Sequence, residues 1–130
     1  MKCLDTDFLV AILRGKEDAE RKMTDMDNQG RQSTTAINAF ELFYGAHKSE
    51  QKYGNVERTK MLLERLDILS LGLESSEEAG KILADLTARG ALIDFRDALI
   101  AGIARTNGLS LVTRNKDHFA HIKELKVEPW

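Results

Sequence analysis

Cysteine is nearly absent, with Cys3 alone among 130 residues. A single thiol cannot close an intramolecular disulfide, so nothing calls for an oxidising compartment, and in its apolar surroundings Cys3 reads as a small core residue. There is one proline, and the nine glycines are scattered singly, which excludes linker-like and low-complexity segments. No stretch approaches the roughly 18 consecutive apolar residues of a membrane span. The N-terminus carries Lys2 but only a short apolar run before Asp5 and Asp7, unlike a secretory signal. The expectation is a cytoplasmic protein that does not engage a membrane. Positive charge is not in excess either: the net charge is −2, so any contact with nucleic acid must be local. A Gly-x-Ser-x-Gly elbow, a Walker phosphate loop and a Gly-x-Gly-x-x-Gly turn are all missing, which removes the common serine-hydrolase and nucleotide-binding schemes.

What remains is 42% apolar and 31% charged, the composition of a globular domain, and the length suits one domain spanning 1–130. Met1 to Leu4 is an apolar start ending at Asp5-Thr6. Phe8, Leu9, Ile12 and Leu13 follow at helical spacing up to Gly15. Residues 17–30 form a second amphipathic helix carrying Ala19, Met23 and Met26. A short strand is expected over Gln32–Thr35, then a helix through Ile37, Phe40, Glu41 and Tyr44 to about Lys48. Asn55 is expected to cap a helix bearing Val56, Met61, Leu62, Leu63 and Leu66. Ile68, Leu69 and Leu71 suggest a strand. Ser75 and Glu78 have capping-box spacing at the start of a helix with Ile82, Leu83 and Leu86 that stops at Gly90. Asp94 is expected to cap a further helix ending at Gly108. Leu109–Val112 reads as a buried strand and Val127 as part of an edge strand. Strands alternating with helices imply an α/β sandwich around a central parallel sheet of four to five strands, a fold in which ligands gather at the carboxyl ends of the strands.

The acids fall at those ends. Asp5 and Asp7 follow the first strand, Asp94 and Asp97 open a late helix, and Asn115 and Asp117 follow the Leu109–Val112 strand. Glu41 stands between Ile37, Phe40 and Tyr44 on a face that reads as apolar, where an unpaired charge costs several kcal/mol, on the order of magnitude of a buried ion, and calls for a positive partner. Each acid also has a structural role open to it. Asp94 suits a cap, Asp97 could answer it three residues on, and Asp7 favours a helix dipole. Their conjunction is what points to a metal site.

The segments that carry these acids are similar to a known family. Leu4-Asp5-Thr6-Asp7-Phe8-Leu9-Val10 resembles the hydrophobic-Asp-Thr-Asn opening of PIN domains, with Asp7 in place of the usual Asn. Phe40-Glu41-Leu42-Phe43-Tyr44-Gly45 resembles their Glu-Leu-x-x-Gly element. Asp97-Ala98-Leu99-Ile100-Ala101 resembles their Asp-x-Leu-Ile-Ala helix, and Leu111 through Asn115 to Phe119 their closing segment. In order and spacing the set most resembles the VapC toxins of toxin–antitoxin pairs. The resemblance implies a PIN-like three-layer α/β/α fold and a metal-dependent endoribonuclease. Asp5, Glu41 and Asp97 would be its catalytic and metal-holding acids, with magnesium or manganese as cofactor and products ending in 3′-hydroxyl and 5′-phosphate. It also implies RNA as substrate, a cognate antitoxin as partner and a homodimer. The fourth acidic position falls to Asn115 or Asp117.

Magnesium takes oxygen ligands and keeps several waters, so two or three carboxylates suffice. The hydroxyls of Thr6 and Thr113 are placed to hydrogen-bond the acids. Arg96 and Arg114, adjoining them in sequence, are the first candidates for RNA contact among the basic residues Lys48, Lys52, Arg58 and Lys116. Three other readings compete. Asp117, His118 and His121 suggest a zinc site with a thin ligand set. A PIN-like fold could serve as a non-catalytic partner-binding module. The nuclease could also belong to RNA processing or decay rather than to a toxin–antitoxin pair.

Overall fold

The computed structural model describes residues 1–130. Five short strands, β1 (Cys3–Leu4), β2 (Ser33–Thr35), β3 (Asp67–Leu69), β4 (Leu111–Val112) and β5 (Val127–Glu128), pair in the order β3-β2-β1-β4-β5. All four pairings are parallel, with Cys3 opposite both Ser33 and Leu111. Helices α1 (Thr6–Leu13), α2 (Glu17–Asp27), α3 (Ala36–His47) and α4 (Lys52–Glu64) precede β3. Helices α5 (Leu73–Ala88) and α6 (Phe95–Thr106) precede β4, and α7 (Lys116–Phe119) precedes β5.

Side chains alternate across a strand, and here the alternation divides the core in two. Leu4 and Val112 point into one apolar cluster with Phe8, Leu9, Met23, Leu42 and Leu62. Cys3 and Leu111 point the other way, into a cluster with Ile82, Leu86, Ile100, Ala101 and Phe119. The α/β/α layering anticipated from the sequence follows from this division. Burial pushes the Cys3 thiol up to about 12, in keeping with an inert core residue.

The second layer depends on a close helix crossing. A Cβ added to Gly102 of α6 would lie 2.8 Å from the backbone nitrogen of Ala79 on α5, so only glycine lets the two helices approach this far. At the other helix ends, Gly15, Gly90 and Gly108 all take φ near +70°, the left-handed conformation that closes a helix without steric cost.

Some local expectations are corrected. Asn55 does not cap α4, which starts a turn earlier after Gln51; instead Asn55 donates its amide to Ser49 Oγ at 2.8 Å. Ser75 does not open its helix. The N-cap is Gly72, whose N–H donates to Ser75 Oγ at 2.8 Å, so Ser75 is the reciprocal partner in the first turn. Glu78 is thereby freed and pairs with Arg105 of α6 at 2.8 Å. β3 ends at Leu69 and leaves Leu71 outside the ladder. The buried face of α3 is Asn38, Leu42 and Ala46, whereas Phe40 and Tyr44 are each 57% exposed. Their rings stack on each other in solvent at 6.3 Å, so Glu41 lies at the border of a wet face rather than within an apolar one.

Candidate active site

The strands end where the acids begin. Asp5 follows β1 directly, and its backbone N–H donates to Val112 O of β4 at 3.0 Å, which fixes it at the carboxyl edge of the sheet. It caps α1: Asp5 Oδ1 accepts from Thr6 N at 2.8 Å. The same oxygen accepts from Asn38 Nδ2 at 3.0 Å, and Oδ2 accepts from Thr113 Oγ1 at 2.7 Å. Despite these bonds the Asp5 carboxyl is pushed up to about 6. Burial is the main cause, with the charges of Asp7 and Asp97 adding to it and the Thr113 and Thr6 bonds opposing it.

Glu41 comes in from the second turn of α3. Thr6, just past the strand end, donates its hydroxyl to Glu41 Oε1 at 2.9 Å, while Arg96 Nη1 lies 3.8 Å from Oε2. Burial raises the Glu41 pKa above the usual range, the Thr6 bond and Arg96 resist the rise, and Asp97 and Asp94 add to it. Asp97 is supplied by the first turn of α6. Burial raises its pKa too, against the pull of His118, whose Nδ1 is 3.6 Å from Asp97 Oδ2. The charge of Asp97 raises the pKa of both Asp5 and Glu41, which links acids from three separate segments.

The remaining residues divide. Asp94 is the N-cap of α6, accepting from Arg96 N at 2.8 Å, and its carboxylate also holds the Arg96 guanidinium at 3.2 Å. Asn115 and Asp117 are exposed at the start of α7. Neither side chain bonds to any of the three acids, and the residue of that segment which does reach them is His118. Arg114 is engaged: it pairs with Asp18 of α2 at 2.5 Å and lies 3.6 Å over the Trp130 ring. Lys48 and Arg58 line a cavity of about 320 Å³ among α1, α3 and α4, with Glu41 on its wall.

Two contributors lie outside the motifs that carry the acids. Asn38 is fully buried. It closes the capping box with Thr35 at the head of α3 and presents its amide both to Asp5 and to Thr6 Oγ1, the latter at 2.9 Å. Capping-box spacing between Thr35 and residue 38 was available as a signal, although Asn is not the usual partner. Trp130 donates its indole N–H to Asp7 Oδ1 at 3.3 Å, across a separation that no local pattern betrays.

Oxygen is the only donor type the three central acids offer, which suits a hard divalent cation and not a thiolate-preferring one. No three His, Cys, Asp or Glu side chains are gathered tightly enough to form a ready-made cage, and this applies equally to the zinc trio Asp117, His118 and His121. Magnesium asks for less, commonly one or two carboxylates with waters and substrate phosphate completing its shell. Burial first, and then the charge of Asp97 on Asp5 and Glu41, lifts the pKa values of these acids, and a cation would offset both by stabilising their charged forms. The donor set therefore fits such an ion.

Comparison with known proteins agrees with this fold. The family model described as PIN domain matches residues 2–125. The tRNA(fMet)-specific endonuclease VapC of Shigella flexneri is 31% identical over 127 residues, covering 98% of this chain and 96% of that protein. Ribonuclease VapC2 of Haemophilus influenzae is 33% identical with the same coverage. Among solved structures, VapBC2 from Rickettsia felis bound to a DNA fragment from its promoter superposes with a TM-score of 0.93 at 28% identity, covering 99% of this chain and 98% of that one. DNA-bound VapBC from Salmonella typhimurium gives 0.91 at 28% identity, covering 100% and 99%. Fold, strand-end acids and full-length similarity lead to one assignment: the chain belongs to the PIN domain family, and within it to the VapC ribonucleases.

Proposed function

We propose that residues 1–130 act as one PIN domain, a cytoplasmic endoribonuclease that depends on magnesium or manganese and is the toxin of a VapBC-type pair. The observation that carries this is the convergence of Asp5, Glu41 and Asp97 at the carboxyl edge of the sheet, each with its pKa raised by burial and Asp5 to about 6. Such perturbed groups clustered in one place mark functional sites.

Asp5 and Asp97 would hold the metal, which when bound supplies charge neutralisation for the phosphodiester and a more acidic water. Asp5 is oriented for this by three donors on its two oxygens, so it pays little reorganisation on binding. Glu41 has one oxygen held by Thr6 and the other free of hydrogen bonds, and it would orient the attacking water through Oε2. Arg96 is held by Asp94 within 3.8 Å of Glu41, where it can meet a substrate phosphate. Neither Asn115 nor Asp117 is needed as a fourth ligand.

The partners proposed are an RNA substrate, a second copy of the chain and a cognate antitoxin. The Shigella relative's name specifies a tRNA(fMet) substrate and the Rickettsia neighbour is a toxin–antitoxin complex, which makes initiator tRNA and an antitoxin the first candidates to test. Purified protein incubated with RNA in magnesium, in manganese and in EDTA tests the activity. Cleavage that needs the metal and disappears in Asp97→Ala is expected. Full cleavage by a folded Asp97→Ala would overturn the site. A small reading frame immediately upstream of the gene, whose product co-purifies with this chain, would identify the antitoxin.

A further inference from the structure

Asp7 lies two residues beyond Asp5 and has no place in the triad, yet both its oxygens are committed. Oδ2 accepts from Arg114 N at 2.9 Å and lies 3.1 Å from Thr113 Oγ1, while Oδ1 accepts from Trp130 Nε1 at 3.3 Å. Trp130 is itself fixed on two further sides. Its ring packs edge-on against Phe8 with centroids 5.1 Å apart, it carries the Arg114 guanidinium on its face, and Arg114 is in turn tied to Asp18.

The consequence falls on Thr113. Its hydroxyl has one proton, two lone pairs and three neighbours: Asp5 Oδ2 at 2.7 Å, Asp7 Oδ2 at 3.1 Å and the Asn115 N–H, which donates to it at 3.0 Å. One proton cannot serve two carboxylates at once. Arg114 N and Trp130 hold Asp7 by both oxygens, so it cannot turn to draw that proton away, and the shorter contact, to Asp5, prevails.

We propose that Asp7 and Trp130 form a positioning pair for the active site, a clamp that sets the Thr113 hydroxyl against Asp5 Oδ2. This rests on Asp5 being a metal-holding acid, as proposed above. Donors on both sides require a carboxylate at position 7. In Asp7→Asn the amide nitrogen must face either the Arg114 N–H or the Trp130 N–H, donor against donor. Trp130→Phe keeps the ring beside Phe8 and under Arg114 but removes the second donor. The amide of Asp7→Asn can then place its oxygen toward Arg114 and Thr113 and its nitrogen in the space the indole N–H had occupied.

The clamp therefore makes a sign-specific prediction. Asp7→Asn should lower kcat and manganese affinity by roughly ten- to a hundredfold, the range for residues that orient a metal ligand, with KM for RNA unchanged. Adding Trp130→Phe to it should restore both to the level of Trp130→Phe alone, which should itself lose only severalfold. Manganese affinity is read by electron paramagnetic resonance of the free ion, independently of turnover, and circular dichroism confirms folding. A double variant as poor as the product of its singles, or an Asp7→Asn protein of wild-type kcat, overturns the clamp. Should Asp7→Asn not fold, Trp130→Phe with unchanged kcat and manganese affinity overturns it by itself. Asp5→Asn separates the two levels: if it still cleaves RNA and binds manganese, the metal-site assignment fails and the clamp with it. If it is inactive while Asp7→Asn is normal, only the clamp fails.

Discussion

Asn38 Nδ2 donates to Asp5 Oδ1 at 3.0 Å while the other end of the same amide, Oδ1, accepts from Thr35 N and Thr35 Oγ1. The amide cannot flip without breaking both ends, so its donor is committed to the carboxylate. Asn38→Asp would set a second buried carboxylate against the first, and the two could not both ionise cheaply. We expect Asn38→Asp to be only slightly destabilised at pH 4.5 and much less stable at pH 8, by about 1.4 kcal/mol for each unit the shared pKa rises. Urea unfolding at the two pH values checks this. Equal losses at both would mean that Asn38 matters only as a cap.

What the sequence disclosed, and what it hid, follows from the range of each interaction. Asp5, Thr6, Glu41, Asp97 and Thr113 sit in short ordered segments whose side chains serve neighbouring strand ends, so local pattern finds them. Asn38 reads as an ordinary first-turn polar residue, because its burial depends on β1 lying alongside β2. The Asp7–Trp130 bond spans 123 positions. Glu41 looked buried because Phe40 and Tyr44 are apolar, but aromatic rings can stack in solvent and need not mark a core. The strands were legible as apolar runs more than by alternation, since β1, β4 and β5 contribute only two residues each to the ladder. Ser75 was misplaced by one turn because a glycine N-cap, having no side chain, leaves no mark except its reciprocal partner.

Asp94 separates capping from chemistry. It is an exposed N-cap whose pKa is lowered, first by its bond to the Arg96 side chain. Serine caps nearly as well, so Asp94→Ser should keep its stability, whereas Asp94→Ala should lose about 1 kcal/mol. Both release the Arg96 guanidinium, and a modest rise in KM for RNA with kcat retained is expected of each. An Asp94→Ser protein that is stable but inactive would place Asp94 among the metal-holding acids.

Gly102 tests the packing that delivers Asp97. A Cβ there would meet backbone and side-chain atoms of Ala79 at 2.8–2.9 Å, and neither helix can yield without shifting. Gly102→Ala should therefore destabilise the protein by about 1–3 kcal/mol in spite of alanine's better helix propensity. Gly80→Ala, with open space around its Cβ position, should be neutral or stabilising. Chemical denaturation of the pair distinguishes crowding from propensity.

Asp5→Asn carries the sharpest stability signature. The Asp5 carboxyl has a pKa of about 6 in the folded protein against 3.8 ordinarily. Between those values the folded state binds more protons than the unfolded one, so metal-free stability falls as pH rises from about 4 to 6. The loss is up to about 3 kcal/mol once Asp5 is fully ionised, at 1.36 kcal/mol per unit. An amide at position 5 fits the existing donors. Its oxygen can keep the bonds from Thr6 N and Asn38, and its nitrogen can donate to Thr113 Oγ1, whose own proton then passes to Asp7 Oδ2. Metal-free Asp5→Asn should therefore melt higher than the wild type at pH 7, converge with it near pH 4 and show no corresponding slope between. Magnesium or manganese should stabilise the wild type by RT ln(1 + [L]/Kd), roughly 2.7 kcal/mol at a hundredfold excess over Kd, and leave the variant unmoved. Thermal melts of both proteins with EDTA and with metal at pH 4, 5.5 and 7 check every arm. A variant that melts lower than the wild type throughout, in a protein indifferent to both metals, would make Asp5 a structural cap and nothing more.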